Sequence, residues 1–194
     1  MTAHSIVGTG HIGSALASHF GRNGIEVGIT NRTGGAALTD MASKLGPSVK
    51  PVSITEALGA GIVFLAIPFT SVGEAVRDAG AWAGRIVIDA TNAPLPPGQL
   101  ADCLSTEVVA DAVRGARVVT AFNTMFAAVL AQDPAQNGGH RVVFMSGDDD
   151  AANKDVADLV ERLVLGRIRE GGRLQEFGAP LVGLNLLRHT NQGG

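Results

Sequence analysis

Short runs of apolar, mostly β-branched residues recur along much of the chain, and each is followed by a stretch with helical character. Repeated alternation of strand and helix is typical of a parallel sheet that helices cover on both faces. The pattern predicts seven strands, at Ser5–Val7, Val27–Thr30, Val49–Val52, Ile62–Ile67, Arg85–Asp89, Val118–Phe122 and Arg141–Met145. We therefore expect an α/β protein with a doubly wound, mainly parallel sheet.

The run Ile62–Ile67 is apolar at every position, as expected for a strand that is buried on both faces. We expect this strand near the centre of the sheet. Pro68 should end it, because a residue without an N–H cannot continue a central ladder. The segments Ser53–Glu56 and Ser71–Glu74 fit the capping box, in which two side chains satisfy unpaired amides at a helix start. Each predicts the beginning of a helix.

Beyond residue 123 the alternation is less regular. It predicts helices near Met125–Ala131, Ala151–Leu165 and Pro180–Leu187. We expect a first domain at 1–123 and a small C-terminal helical and strand extension at 124–194; no linker marks the boundary, so one compact domain is the alternative. The last helix is apolar around most of its circumference, which favours contact with a second copy of the chain in a homodimer, or a cover over a bound ring.

The segment from Gly8 to Gly13 has the spacing G-x-G-x-x-G, directly after the first strand and at the start of a helical run. In a dinucleotide-binding turn the first glycine makes the turn, the second admits the pyrophosphate, and the third packs the helix on the strand. The amides at the helix start point toward the phosphates. The context predicts a Rossmann-type turn whose cofactor contacts are Gly8, Thr9, Gly10, His11, Ile12 and Gly13.

The residues that follow the second strand are Asn31, Arg32 and Thr33. NAD enzymes place a carboxylate at this point for the ribose 2′-hydroxyl, and here the nearest acid, Glu26, lies at the other end of the strand. The Arg32 guanidinium can pair with a 2′-phosphate through two parallel hydrogen bonds, and its two neighbours can donate further bonds. The segment therefore favours NADP(H), although a solvated Arg32 is the alternative interpretation.

Ligands of open α/β sheets bind outside the carboxyl ends of the strands, so three further loops are candidates. Their proposed cofactor contacts are Ala66, Ile67, Pro68, Asn92, Ala93 and Asn123. Asn92 and Asn123 are also common turn residues, and both interpretations stay open. Thr124 and Met125 are candidates for the wall of a nicotinamide pocket.

Charge and composition exclude several classes of function. The net charge is −3 without a run of Lys or Arg, so we expect no nucleic acid and no membrane partner. The single cysteine, Cys103, cannot form an internal disulfide, and we expect a cytoplasmic protein. The five histidines lack metal-ligand spacing, and no metal site is predicted. Asp148–Asp150 precedes a helix, where capping is favoured over calcium binding.

In their order along the chain, these segments resemble the NADP oxidoreductases that depend on the deazaflavin coenzyme F420, and the related NADPH-binding domain of transmembrane ferric reductases. The matching segments are Gly8–Gly13, Asn31–Arg32, Ala66–Pro68, Asp89–Asn92, Ala121–Thr124 and Gly147–Asp150. The resemblance implies that Thr9–Ile12 contact the pyrophosphate and that Asn31 and Arg32 contact the 2′-phosphate. It also implies Ile67 and Pro68 beside the nicotinamide, with a deazaflavin stacked on that ring.

We expect an NADP(H)-dependent oxidoreductase that transfers a hydride between NADPH and a second redox cofactor, with F420 as the first candidate. A flavin, quinone or ferric reductase and a non-enzymatic NADP(H) sensor remain as alternatives, because all need the same NADP(H) contacts. Direct hydride transfer between stacked rings requires positioning rather than a side-chain acid or base. No catalytic residue is therefore predicted, and the chain has no tyrosine to act as the proton donor of a short-chain dehydrogenase.

Overall fold

The computed structural model describes residues 3–33, 38–93, 104–133, 141–163 and 167–170. Cys103 and the apolar segment Pro180–Leu187 lie outside these ranges, as do His140 and His189. The homodimer contact expected from Pro180–Leu187 therefore stays a prediction.

The described residues form eight strands and seven α-helices. The strands are β1 His4–Val7, β2 Val27–Thr30, β3 Val49–Pro51, β4 Ile62–Leu65, β5 Ile86–Asp89, β6 Arg117–Ala121, β7 Val142–Gly147 and β8 Arg167–Glu170. The helices are α1 His11–Arg22, α2 Thr39–Leu45, α3 Ile54–Leu58, α4 Val72–Ala75, α5 Ser105–Ala112, α6 Ala127–Leu130 and α7 Asp150–Arg162. A 3-10 turn at Phe69–Ser71 lies between β4 and α4.

All eight strands belong to one sheet, in the order β3-β2-β1-β4-β5-β6-β7-β8. Neighbouring strands are parallel except for the antiparallel pair β6 and β7. The strand order reverses between β1 and β4, which makes this pair the topological switch point of a doubly wound sheet. The predicted Rossmann-type α/β fold is confirmed. β8 was not among the predicted strands, and the division at residue 123 stays a prediction.

Two apolar layers cover the two faces of the sheet. On the α1 face, Phe20 meets Phe64 edge to face, with 5.8 Å between the ring centroids. On the opposite face, Leu65 packs in a layer with Val87 and Trp82. β4 lies between β1 and β5 and is buried on both sides, so its predicted central position is confirmed.

Local signals near the helix starts met different outcomes. The Ser53 capping box is present, with the Ser53 hydroxyl accepting from the Glu56 amide and the Glu56 carboxylate accepting from the Ser53 amide. The helix start predicted at Ser71 is confirmed, since α4 begins at Val72 with Ser71 as its N-cap residue, but Ser71 is itself already helical and its side chain makes no capping bond. The reason is that Pro68 begins a 3-10 turn one turn earlier.

The ends of other elements also differ from expectation. β4 ends at Leu65, before Pro68, so Pro68 does not itself end the strand. α6 covers only Ala127–Leu130 of the predicted Met125–Ala131. The capping role in the acidic triplet is confirmed, since the Asp149 carboxylate accepts from the Ala152 amide at 2.7 Å.

Candidate functional site

The predicted contact residues come together at one edge of the sheet. β1, β2, β4, β5 and β6 are mutually parallel, so their carboxyl ends share that edge. In sheet order the loops there contain Asn31–Thr33, then Gly8–Gly13, Ala66–Pro68, Asn92–Ala93 and Asn123. The glycine turn therefore lies between Arg32 on one side and Asn92 on the other.

Gly8 requires a conformation that favours glycine. Its φ is +103°, in the left-handed region, and its amide donates to the carbonyl of Thr30 at 2.8 Å. A Cβ atom here would overlap the Ala66 carbonyl oxygen and lie 2.6 Å from Cγ2 of Ile67. The turn is thus packed directly against the loop after β4.

The other two glycines of the turn have opposite surroundings. A Cβ on Gly13 would overlap the carbonyl oxygen of Gly8 and lie 3.3 Å from Cγ2 of Ile6, so this glycine lets α1 pack on the strand. A Cβ on Gly10 would have no neighbouring atom within 4 Å. Open space at Gly10 is the feature that a close-approaching pyrophosphate requires.

The start of α1 faces the same space. Gly10 precedes the helix without a side-chain cap, and the first turn contains no acidic residue. The first intrahelical bond runs from the Ser14 amide to the Gly10 carbonyl at 2.8 Å, so the preceding amides have no acceptor within the helix. The Ser14 hydroxyl donates back to the Thr9 carbonyl at 2.9 Å. Unpaired amides and the positive helix end together suit an anion.

Asn31 braces the glycine turn against the end of β2. Its side-chain amide donates to Oγ1 of Thr9 at 3.1 Å. Its carbonyl oxygen accepts from the Thr33 amide at 3.0 Å and from the Thr33 hydroxyl at 2.7 Å. This brace was not predicted from the sequence, which suggested Asn31 and Thr33 only as donors to a phosphate. It fixes the two ends of the segment on which Arg32 lies.

Arg32 is exposed, and it makes no hydrogen bond or ion pair with the other described residues. Glu26 lies before β2, at its opposite end, and its carboxylate is 2.6 Å from Nζ of Lys50. The hydrogen bond from Lys50 lowers the pKa of Glu26. The guanidinium is thus available to an anion that lies beside the glycine turn.

In the described part of the loop after β5, residues 90–93, one side chain is exposed. Thr91 and Ala93 are buried, whereas Asn92 between them is exposed. Asp89, the last residue of β5, accepts the Thr91 amide with Oδ1 at 2.9 Å. Burial raises the pKa of the Asp89 carboxyl. Sequence reasoning noted the Asp89–Asn92 segment but gave Asp89 no role, since burial cannot be seen in a short motif.

The loop after β6 begins with a strained residue. Phe122 has a φ of +67°, which is unusual for a bulky residue, and its side chain is buried with its centroid 6.2 Å from that of Phe64. The half-buried Asn123, Thr124 and Met125 follow. No sequence signal indicated the left-handed backbone of Phe122, because this conformation depends on packing of the ring against a distant strand.

The same segment is anchored at its far end by α1. Nε2–H of His19 donates to the Leu130 carbonyl at 2.7 Å, and Arg141 donates to the same oxygen at 3.2 Å. Burial lowers the pKa of His19, an effect that the hydrogen bond to Leu130 partly opposes. The carboxyl-edge loop after β6 is therefore held at both Phe122 and Leu130.

Comparison with known proteins finds one family whose model matches part of the chain. The model of the coenzyme F420-dependent NADP oxidoreductases matches residues 5–93, from β1 to the loop after β5. A candidate F420-dependent NADP-reductase from Arthrobacter is 28% identical, with a TM-score of 0.72 over 90% of this chain and 86% of that chain. Over residues 5–93 the chain is thus similar to the F420-dependent NADP oxidoreductases. This match and the Arthrobacter structure indicate an NADP-dependent oxidoreductase.

Other solved structures extend the comparison. A hypothetical protein from Sinorhizobium meliloti is 43% identical to this chain, with a TM-score of 0.85 over 92% of this chain and 88% of that chain. A reductive aminase from Aspergillus terreus, solved with NADPH and ethyl levulinate, is 18% identical and has a TM-score of 0.67 over 93% of this chain and 57% of that chain. The latter likeness shows the fold alone. No curated protein matches the sequence.

The described residues show neither a metal-ligand group nor a membrane-spanning helix. They contain no group of three or more His, Cys, Asp or Glu side chains placed to hold a metal ion. No helix among them has the length and hydropathy needed to cross a membrane.

Proposed function

We propose that this NADP-dependent oxidoreductase transfers a hydride between NADPH and a second redox cofactor, with the deazaflavin F420 as the first candidate. The observation that carries the proposal is the open space at Gly10, at the start of α1. Beside it lies Arg32, which makes no hydrogen bond or ion pair with the other described residues. The family match and the Arthrobacter structure support F420 as the acceptor.

The pyrophosphate of the cofactor belongs at the glycine turn. Backbone amides from Thr9 to Ile12 would donate to its oxygens, aided by the positive end of α1. The residues fit this role because Gly10 leaves room for the anion and no acidic side chain lies in the first helical turn. Asn31 would keep Thr9 in place through the observed hydrogen bond.

The 2′-phosphate belongs on the β2 side of the turn, within reach of Arg32. A guanidinium binds a phosphate through paired, charge-assisted hydrogen bonds. NADH lacks that phosphate, so the contact at Arg32 would distinguish the two cofactors. Both donors of Thr33 bond to Asn31, so the phosphate would be held mainly by the Arg32 guanidinium, with the second N–H of the Asn31 amide beside it.

The nicotinamide belongs on the β4 and β5 side, near Ile67, Pro68 and Asn92. When bound, NADPH supplies a hydride from C4 of this ring. The task of the chain is then to hold the two rings in register and to exclude water. Asn123, Thr124 and Met125, on the loop after β6, are the candidates for the wall of the nicotinamide pocket.

An acceptor panel tests the proposal. The purified protein is mixed with NADPH or NADH and, in turn, with F420, FMN, a quinone and a ferric chelate, while the nicotinamide absorbance is followed. We expect oxidation of NADPH with F420 and little with NADH. Turnover with FMN, quinone or ferric chelate but none with F420 would contradict the F420 assignment. Tight NADPH binding without turnover would instead favour a sensor.

We also propose a homodimer in the cytoplasm, on the basis of the apolar segment Pro180–Leu187 and the single cysteine. Light scattering at micromolar concentration checks the oligomeric state. A mass equal to that of one chain would contradict the dimer.

A further inference from the structure

Asp89 is a buried acid that the proposed hydride transfer does not use. It is the last residue of β5 and is 2% exposed. In the strand register it stands beside Leu65 of β4 and Thr120 of β6, and Leu65 in turn stands beside Val7 of β1. Since neighbouring strands are about 4.8 Å apart, Asp89 lies about 10 Å from the end of β1, on the side away from Arg32.

The carboxyl of Asp89 has no compensating charge. No ion pair of the described residues includes it, and burial raises its pKa. A buried carboxyl is costly unless hydrogen bonds compensate for its lost hydration. An apolar side chain at this position would avoid the desolvation cost of the carboxyl. We therefore ask what the hydrogen bonds of Asp89 do in the structure.

Those hydrogen bonds go to the loop and not to the neighbouring strands. Thr91 bonds to the carboxyl with its amide, at 2.9 Å from Oδ1, and with its side chain. The next polar residues in the same row of the sheet are Thr120 and Ser146. Both of their hydroxyls are buried and have no hydrogen-bond partner. Asp89 thus acts on the backbone of its own loop.

The result is a loop with one exposed side chain at the carboxyl edge. Ala90, Thr91 and Ala93 are 8%, 5% and 6% exposed, whereas Asn92 is in the exposed class. The bond between Asp89 and Thr91 spans two residues, as in an Asx turn, and fixes the direction in which the chain leaves β5.

We propose that Asp89 is the positioning residue of the loop Ala90–Ala93, and that it holds Asn92 toward the nicotinamide half of bound NADP(H). This inference rests on the proposed cofactor orientation. It adds a division of labour, in which Arg32 and the glycine turn bind the adenosine and pyrophosphate half while Asp89 acts, through Asn92, on the other half.

The experiment compares two ligands on the wild type and four variants. NADPH carries both halves, whereas adenosine 2′,5′-bisphosphate carries the 2′-phosphate but no nicotinamide. We expect Asp89→Ala to raise the Kd of NADPH about tenfold, the equivalent of one lost hydrogen bond, and to leave the Kd of the bisphosphate within about twofold. Asp89→Asn keeps an oxygen acceptor for the Thr91 amide, so it should restore NADPH binding to within about threefold of wild type.

Asp149→Ala is the matched control. Asp149 also accepts a backbone amide with its carboxylate, at 2.7 Å from Ala152. It follows β7, which runs antiparallel to β6, so it lies at the opposite edge of the sheet. We expect this variant to lose stability and to keep the wild-type affinity for both ligands.

Asn92→Ala tests the contact with the nicotinamide half of NADPH even if Asp89→Ala does not fold. Asn92 is exposed, so its removal leaves the buried turn intact, and it should weaken NADPH but not the bisphosphate. The proposal is overturned if Asn92→Ala leaves NADPH binding unchanged, if Asp89→Ala weakens both ligands equally, or if Asp89→Asn binds as poorly as Asp89→Ala. Failure of the wild type to bind NADPH would overturn the proposed function instead.

Discussion

The two halves of the carboxyl edge are built in different ways. In the β1 and β2 half, the positions of Gly8 and Gly13 are set by backbone atoms that leave no room for a Cβ. In the β5 and β6 half, the loops are set by buried side chains, with Asp89 bonded to Thr91 and Phe122 packed near Phe64. Distant segments meet in both halves, but the first half is visible in the sequence as a local glycine spacing, whereas the second depends on the burial of Asp89 and Phe122, which no short motif shows.

The backbone conformation of Phe122, in the second half, is energetically unfavourable. A left-handed backbone at a residue other than glycine is unfavourable by about 1–2 kcal/mol. Burial of the aromatic ring offsets that cost, since a phenylalanine side chain contributes about 1.5–3 kcal/mol when it is fully buried. The strained turn then directs Asn123 and the residues after it along the carboxyl edge.

The largest expected effect on the first half comes from Gly13→Ala. Its methyl group would overlap the Gly8 carbonyl oxygen, and overpacking against backbone is not easily relieved. We expect the free energy of unfolding to fall by about 3 kcal/mol, measured by urea denaturation. A variant as stable as the wild type would show that the contact between Gly13 and Gly8 tolerates a methyl group, and would contradict the tight packing assigned to the first half.

Gly10→Ala is the companion test within the same turn. A methyl group here meets no protein atom within 4 Å, so the free energy of unfolding should fall only by the cost of alanine at an N-cap position, about 0.5–1 kcal/mol. The methyl group would occupy the space proposed for the pyrophosphate, and we expect the Kd of NADPH to rise by at least about tenfold. Unchanged NADPH affinity in a titration would argue that the pyrophosphate lies elsewhere.

The sequence predicted the first half well because its signals are local. The glycine spacing, the lack of an acid near Arg32 and the capping box at Ser53 each depend on residues within one turn or loop. The matching signal at Ser71 gave the start of α4 correctly but not the missing capping bond, because a four-residue pattern cannot reveal a 3-10 turn that starts at Pro68. The strain at Phe122 and the role of Asp89 depend on burial between strands, which no short segment specifies.

The smallest expected effect concerns the anchor of the second half at His19. Its pKa is lowered by burial and by the charges of Arg22 and Arg141, so the folded protein binds a proton less readily than the unfolded chain. The contribution of His19 to the free energy of unfolding should be fully present above about pH 6.5, the ordinary pKa of histidine. It should fall as the pH drops toward the lower pKa that His19 has in the folded protein.

Urea denaturation at several pH values measures this slope. His19→Gln keeps a donor for the Leu130 carbonyl without titrating, and should show a shallower loss on acidification than the wild type. The remaining slope would include His4, whose pKa burial also lowers. Equal slopes in the two proteins would contradict the assigned role of His19.

The most direct test of NADP(H) binding at the glycine turn is a titration of the wild type and Arg32→Ala with NADPH and with NADH. The account predicts that the wild type binds NADPH more tightly. It also predicts that Arg32→Ala raises the Kd of NADPH by about 10- to 100-fold, as expected for a lost charge-assisted contact, and leaves that of NADH within about twofold. An equal loss of both cofactors, or no loss of either, would contradict it.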